Sequence, residues 1–210
     1  MLARLLGRRV RRPSAAMIPT DATLIFLDVD GVLNSRASRD TGDHLPADEP
    51  LAHLVHLMSS LQCGTIVLSS TWRLDAQLRE ALHRVLAIEG LSFVSVTPDL
   101  EITHTGDRVD EIMAWLSAHR SADHPWIAID DLDLLGMNPK LHARNFVRTS
   151  DGVGLTRRNV NEAVRKLSEQ RAETRNGGGS APPPTAPSPP PTPPSPPPSP
   201  PPPPTPPLLL

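Results

Sequence analysis

The sequence predicts an α/β domain built on a parallel sheet of about five strands, with helices on both faces. Three observations predict it. Short apolar runs alternate with longer amphipathic segments through residues 21–171. The runs are rich in Ile, Val and Leu, which fits strands covered on both sides. And 19 of the 26 prolines lie beyond residue 180, so roughly 150–160 residues remain to fold as one domain.

Residues 1–20 form a basic arm, with five arginines and no acid in the first twelve positions. The arm lacks the apolar centre of a secretory signal and is expected to be disordered. It faintly resembles an organelle transit peptide, and Met17 serves equally well as the start. The first strand is expected at 23–27. Leu51, Leu54, Val55 and Met58 then keep the i, i+3, i+4, i+7 spacing of a helix. A second strand follows at 65–68, and Leu78, Leu82, Val85 and Leu86 mark the next helix. A third strand is expected at 91–97, with Val109, Ile112, Met113 and Leu116 behind it. Strands at 126–129 and 144–148 complete the sheet. Val160, Ala163, Val164 and Leu167 form the last helix. Right-handed crossovers would bring every strand's C-terminal end to one rim.

From residue 172 the composition passes through Gly-Gly-Gly-Ser into Pro, Ser, Thr and Ala. Such a segment, 172–210, buries no core and is expected to be a disordered, polyproline II-like tail. A spacer role fits it best, and a proline-recognition domain is its candidate partner. The net charge is −2, which leaves about −7 outside the basic arm. That balance argues against a broad electrostatic grip on nucleic acid. No apolar run is long enough to cross a membrane. The single cysteine, Cys63, excludes an internal disulfide and fits a reducing, cytoplasmic setting.

The chemistry gathers at predicted strand ends. Leu24–Asn34 reads Leu-Ile-Phe-Leu-Asp-Val-Asp-Gly-Val-Leu-Asn. Asp28 and Asp30, two apart, point the same way from an extended chain. Their charges repel unless a cation or a shared proton intervenes. The second strand runs into Ser69-Ser70-Thr71-Trp72-Arg73. Hydroxyls and free amides at such a turn can hold a phosphate oxygen, or simply cap a helix. The fourth strand runs into Asp130-Asp131, an acidic pair suited to a hard cation such as Mg²⁺. Arg108, opening a helix, can supply a fixed positive charge. Trp72 is expected to pack beside the following helix, and Arg73 to reach substrate beyond the phosphate.

Together these strings resemble the haloacid dehalogenase (HAD) superfamily of aspartate-nucleophile phosphohydrolases, across roughly residues 21–170. Asp-Val-Asp-Gly-Val-Leu-Asn matches its first motif and Val-Leu-Ser its second. Arg108 stands where a Lys or Arg serves as the third, and Ile-Asp-Asp matches the fourth. Leu-Ser-Ser-Thr-Trp-Arg, Arg-Val-Asp-Glu-Ile and Gly-Leu-Thr resemble a capless subgroup, similar to the phosphatase half of bacterial and phage RNA-repair proteins. The resemblance implies a Rossmann-like three-layer α/β/α fold without a large cap domain. It implies Asp28 as nucleophile, Asp30 as general acid and base, and Ser69 on a phosphoryl oxygen. Arg108 would neutralise charge on the nucleophile and the transferring group. Mg²⁺ would be held by Asp28, Asp131 and the Asp30 backbone carbonyl, with Asp130 supporting from behind. Ser69, Ser70 and Arg73 are the expected substrate-binding residues.

Arginine in place of the commoner lysine gives a wider donor fork. Neither Asn34–Ser69 nor Arg73–Arg108 has room for a folded lid, so the site should be open to bulky phosphates. Asn34–Pro50, with Arg36, Arg39, Asp40, Asp43 and His44, is expected to form a polar flap. The function expected is Mg²⁺-dependent phosphomonoester hydrolysis through an aspartyl-phosphate, on nucleotides or nucleic-acid ends. The alternatives are a phosphotransferase of the same fold, or a non-catalytic adaptor that uses the proline-rich tail.

Overall fold

The structure, a computed structural model, describes residues 18–40, 45–61, 63–100, 107–119 and 121–177. The expected arm before Ile18, the expected tail from residue 178 onward and the flap histidine His44 lie outside these residues, whereas 172–177, expected to belong to that tail, continue the last helix. Five strands form one parallel sheet: β1 (Thr23–Leu27), β2 (Gly64–Leu68), β3 (Phe93–Val96), β4 (Trp126–Asp130) and β5 (Phe146–Arg148). Their order is β3-β2-β1-β4-β5.

Two predicted strands are shorter than expected, each for a local reason. The third gives up Leu91, whose N–H bonds the Leu86 carbonyl at 2.8 Å and closes the preceding helix. The fifth begins at Phe146 because Ala143–Asn145 makes a 3-10 turn. There the Asn145 amide donates to the Trp126 carbonyl at 3.0 Å and ties that turn to the start of β4.

Among the described residues six helices accompany the sheet: α1 (Arg36–Asp40), α2 (Asp48–Ser60), α3 (Ala76–Ile88), α4 (Arg108–Ala118), α5 (Leu134–Met137) and α6 (Arg157–Gly177). The four long ones are those that the spacing of Leu, Val and Ile predicts. Side chains alternate across β1 as a strand requires. Ile25 and Leu27 join Leu54 and Leu57 of α2, Leu82 and Leu86 of α3, and Val160 and Leu167 of α6. Leu24 and Phe26 join Val109, Ile112 and Trp115 of α4 on the opposite face. Phe26 meets Trp115 and Trp126 edge-on, with ring centroids 5.4 and 5.7 Å away. Both faces being covered, β1 reads as an unbroken apolar run. This is the Rossmann-like three-layer α/β/α arrangement, with apolar burial as its main stabilising force.

The strand order turns the site's location into a consequence of topology. Connections run one way from β1 to β2 and β3, then the other way to β4 and β5. Loops therefore part between β1 and β4, and the crevice at their carboxyl ends is where such sheets bind ligands. Leu27 pairs with Leu68 on one side and Ile129 on the other. The chain segments that follow, at Asp28, Ser69 and Asp130, thus emerge level with one another.

Candidate active site

Asp28 leaves β1 with its N–H still bonded to the Ile129 carbonyl at 3.1 Å. Both it and Asp130 are buried, and with half-buried Asp131 they form a cluster in which one carboxylate oxygen from each lies within 4.8 Å of the others. Gly31 makes that closeness feasible. Its φ is +75°, and a Cβ there would come 2.6 Å from Oδ2 of Asp131. The glycine of the first motif therefore leaves space for the last acid of the fourth.

Arg108, the first residue of α4, reaches the same point. Its Nη1 donates to Oδ1 of Asp28 at 3.2 Å, to Oδ2 of Asp130 at 2.8 Å, and to the Ser69 carbonyl. Asp107 starts that helix with a capping box, accepting from the Val109 and Asp110 amides. The Asn138 side chain donates to both Asp107 oxygens, at 3.0 and 3.1 Å. The arginine is thus fixed at its backbone as well as its tip.

Electrostatics follow from burial. Desolvation raises the Asp28 pKa, against the opposing pull of Arg108 and a hydrogen bond from the Ser70 hydroxyl. Asp130 is pushed up to about 7, by burial first and then by the neighbouring Asp28 charge. Burial also raises Asp131. Burial would lower the Arg108 pKa, but the charges of Asp28 and Asp130 more than offset it and hold it above its ordinary value. Asp28 and Asp130 share one guanidinium, and burial favours protons on all three acids of the cluster.

Asp30 behaves differently. Its side chain is 42% exposed, and its carboxylate is not among the oxygens gathered in the acidic cluster. Oδ2 accepts from the Trp72 indole at 2.9 Å, and Oδ1 accepts from the Asn34 amide at 3.3 Å. Arg39 stands 3.8 Å from Oδ1 and is held by the Asn34 carbonyl and by Asp151. Arg36, one turn earlier on α1, pairs with the same Asp151 at 3.0 Å. The expected flap therefore begins as a short helix pinned to the loop after β5.

Ser69 is buried, and its hydroxyl has no hydrogen-bond partner among the described residues. An unsatisfied buried hydroxyl calls for a ligand or other specific explanation. Its neighbours have different tasks from those expected. Ser70 is fully buried, and its hydroxyl accepts from the Trp72 backbone N–H at 3.4 Å rather than opening to the rim. Arg73 corrects the expectation that it reaches substrate. It is buried against Glu111 at 2.5 Å and donates to the Ser70 and Pro98 carbonyls at 2.8 and 3.2 Å. Trp72 packs in the core as expected, with the added indole bond to Asp30.

A family model described as the HAD domain in Swiss Army Knife RNA repair proteins matches residues 24–160. The chain belongs to that family. No curated protein and no solved structure matches it. Membership of the HAD family points to hydrolysis of the phosphatase type, and the site supplies residues that suit it. The family generally uses Mg²⁺, and the donor set fits that ion: hard carboxylate oxygens from Asp28 and Asp131, close together and short of positive charge. Asp130 is engaged behind them, with Oδ2 on Arg108 and Oδ1 on the Leu132 amide at 2.9 Å.

Three participants in the HAD site escaped the sequence reading. Asp151 carried no signal beyond being an acid in a turn. Arg39 was visible only as one flap charge among several. Glu111 sat inside a helix pattern, where a charge ordinarily faces water.

Proposed function

We propose that this HAD domain is a Mg²⁺-dependent phosphomonoesterase that works through an aspartyl-phosphate on Asp28, with phosphorylated nucleic-acid ends as its substrates. One observation supports this above others. A single guanidinium is shared by Asp28, Asp130 and the Ser69 carbonyl, while the Ser69 hydroxyl is left without a partner. A phosphoryl group beside Asp28 would meet both donors.

In the first step an Asp28 oxygen attacks phosphorus as the bond to the leaving oxygen breaks. That oxygen takes the proton carried by Asp30. In the second step Asp30, now a carboxylate, accepts a proton from water. The water oxygen attacks phosphorus, the bond to Asp28 breaks, and inorganic phosphate leaves with both acids restored. Arg108 and the Ser69 hydroxyl act on charge spread over the phosphoryl oxygens, where positioning dominates catalysis. Bound Mg²⁺ would offset the repulsion between the anionic nucleophile and its anionic target.

The nucleic-acid end is supported by the family's description and by the mouth of the site. The short α1 follows the first motif, and its Arg36 is 70% exposed. Aryl phosphate hydrolysis should require Mg²⁺, stop with EDTA and vanish in Asp28→Asn. Turnover that survives the substitution would refute the mechanism. Oligonucleotides carrying 5′- or 3′-phosphate should be preferred to mononucleotides and sugar phosphates in a matched panel, and a preference for sugar phosphates would overturn the substrate class.

A further inference from the structure

We propose that Trp72 is a positioning residue for the proton transfers of Asp30, fixing the rotation of that carboxyl through Oδ2 and leaving Oδ1 as the freer oxygen. The inference rests on the role of Asp30 given above.

An exposed carboxyl rotates freely about its last side-chain bond, which has a broad, two-fold profile. Asp30 is 42% exposed and, without support, would present either oxygen to the leaving group. The indole N–H bonds Oδ2 at 2.9 Å. That group is a donor only, so it engages Oδ2 as an acceptor and fixes the plane of the carboxyl. Oδ1 has the longer contacts, 3.3 Å from Asn34 and 3.8 Å from Arg39, and is the less firmly held oxygen, the one freer to give and take the proton.

The support is rigid. Trp72 is 4% exposed and its ring is part of the core beneath β1 and β2. Its backbone N–H bonds the Ser70 hydroxyl at 3.4 Å, and Arg73, next in the chain, is buried against Glu111. One short turn, Ser70–Arg73, thus carries both the hydroxyl that opposes the rise of the Asp28 pKa and the indole that bonds Asp30. The indole gains too, because a buried N–H without a partner destabilises the fold.

Trp72→Phe in the full-length protein keeps the ring and deletes the donor. An aryl phosphate separates the two steps, since a phenolate leaves without help from an acid. The phenolate burst, one per enzyme, should keep its wild-type rate, while the steady rate of aspartyl-phosphate hydrolysis falls about 10²-fold. An alkyl phosphate should lose the burst as well. Trp115→Phe is the control: it deletes a comparable indole bond, 3.0 Å to Ser95 on β3, and should lower the melting temperature but leave both rates within about twofold. Equal loss of burst and steady rates in Trp72→Phe, or loss of stability alone, would overturn the proposal.

Asp30→Ala separates the two levels. If it leaves the steady rate intact, the acid–base role of Asp30 fails and this inference fails with it. If it slows that rate and Trp72→Phe does not, the inference fails alone. Should Trp72→Phe not fold, the wild-type protein still reports the contact. Its three tryptophans give three indole N–H resonances, of which the Trp72 signal should shift in Asp30→Ala while those of Trp115 and Trp126 stay in place. An unmoved Trp72 resonance would overturn the proposal.

Discussion

At Gly31 the backbone lies in the left-handed region, with the Asp131 carboxylate against the place a side chain would fill. Gly31→Ala should therefore disturb chemistry more than folding. The left-handed strain costs roughly 1–2 kcal/mol. The displaced carboxylate should lower turnover by about 10²-fold and raise the Mg²⁺ concentration needed for half-maximal rate. Comparing a melting curve with a Mg²⁺ titration of the variant checks both, and an unchanged titration would show that Asp131 does not need this gap. Asp28, Ser69, Arg108 and Asp130 were legible in the sequence because each stands beside the end of a strand or at the start of a helix. The indole bond to Asp30 was not, since Trp72 lies 42 positions away and meets it only because β1 and β2 are neighbours. Arg73 misled for the same reason, its partner being 38 positions off.

Helix α4 carries the charge that the site depends on, and it does so with an acid on its buried face. Glu111 and Arg73 have side chains only 2% and 3% exposed. Glu111 also accepts from the Leu100 amide at 3.1 Å and lies 3.8 Å from Nε of Arg108. Removing one member of a buried pair strands the other charge, which typically costs about 3–5 kcal/mol. Glu111→Ala should lose that much in urea unfolding, and a loss under about 1 kcal/mol would mean that Arg73 finds water or another acid. Periodicity made α2, α3, α4 and α6 readable because each repeats its apolar positions over three turns or more. The five-residue α1 and four-residue α5 offer too few positions to repeat.

On the scale of the whole molecule, the sheet order gathers acids that the folded state prefers to keep protonated. Asp130 moves from 3.8 to about 7, and burial raises Asp28 and Asp131 as well. Between about pH 4 and 7 the folded chain then binds more protons than the unfolded one, so stability falls as pH rises through that window. Without metal, the melting temperature should be lower at pH 7.5 than at pH 5. Mg²⁺ takes the place of those protons, so saturating Mg²⁺ should raise the melting temperature far more at pH 7.5 than at pH 5. A melting temperature independent of pH, with and without Mg²⁺, would contradict the clustered burial of these acids. The alternation of strands and helices made the sheet readable from the sequence, whereas the protonation balance needed the depth at which each acid lies.

The pairing of Leu27 with Ile129 carries one more consequence. The next rung of that ladder sets Asp28 beside Asp130, with Asp131 next in the chain, so the backbones that carry the two metal-holding acids, Asp28 and Asp131, are set apart by a spacing between strands, about 4.8 Å. The backbone thus works as a caliper of fixed opening. Mg²⁺ bonds oxygen at about 2.0–2.1 Å, while Ca²⁺ needs about 2.3–2.6 Å and more ligands. To admit Ca²⁺ the jaws would have to part, at the expense of hydrogen bonds in the centre of the sheet. Ca²⁺ should accordingly compete with Mg²⁺ and depress hydrolysis, and a Ca²⁺-loaded protein that turns over aryl phosphate at the Mg²⁺ rate would show that the caliper yields.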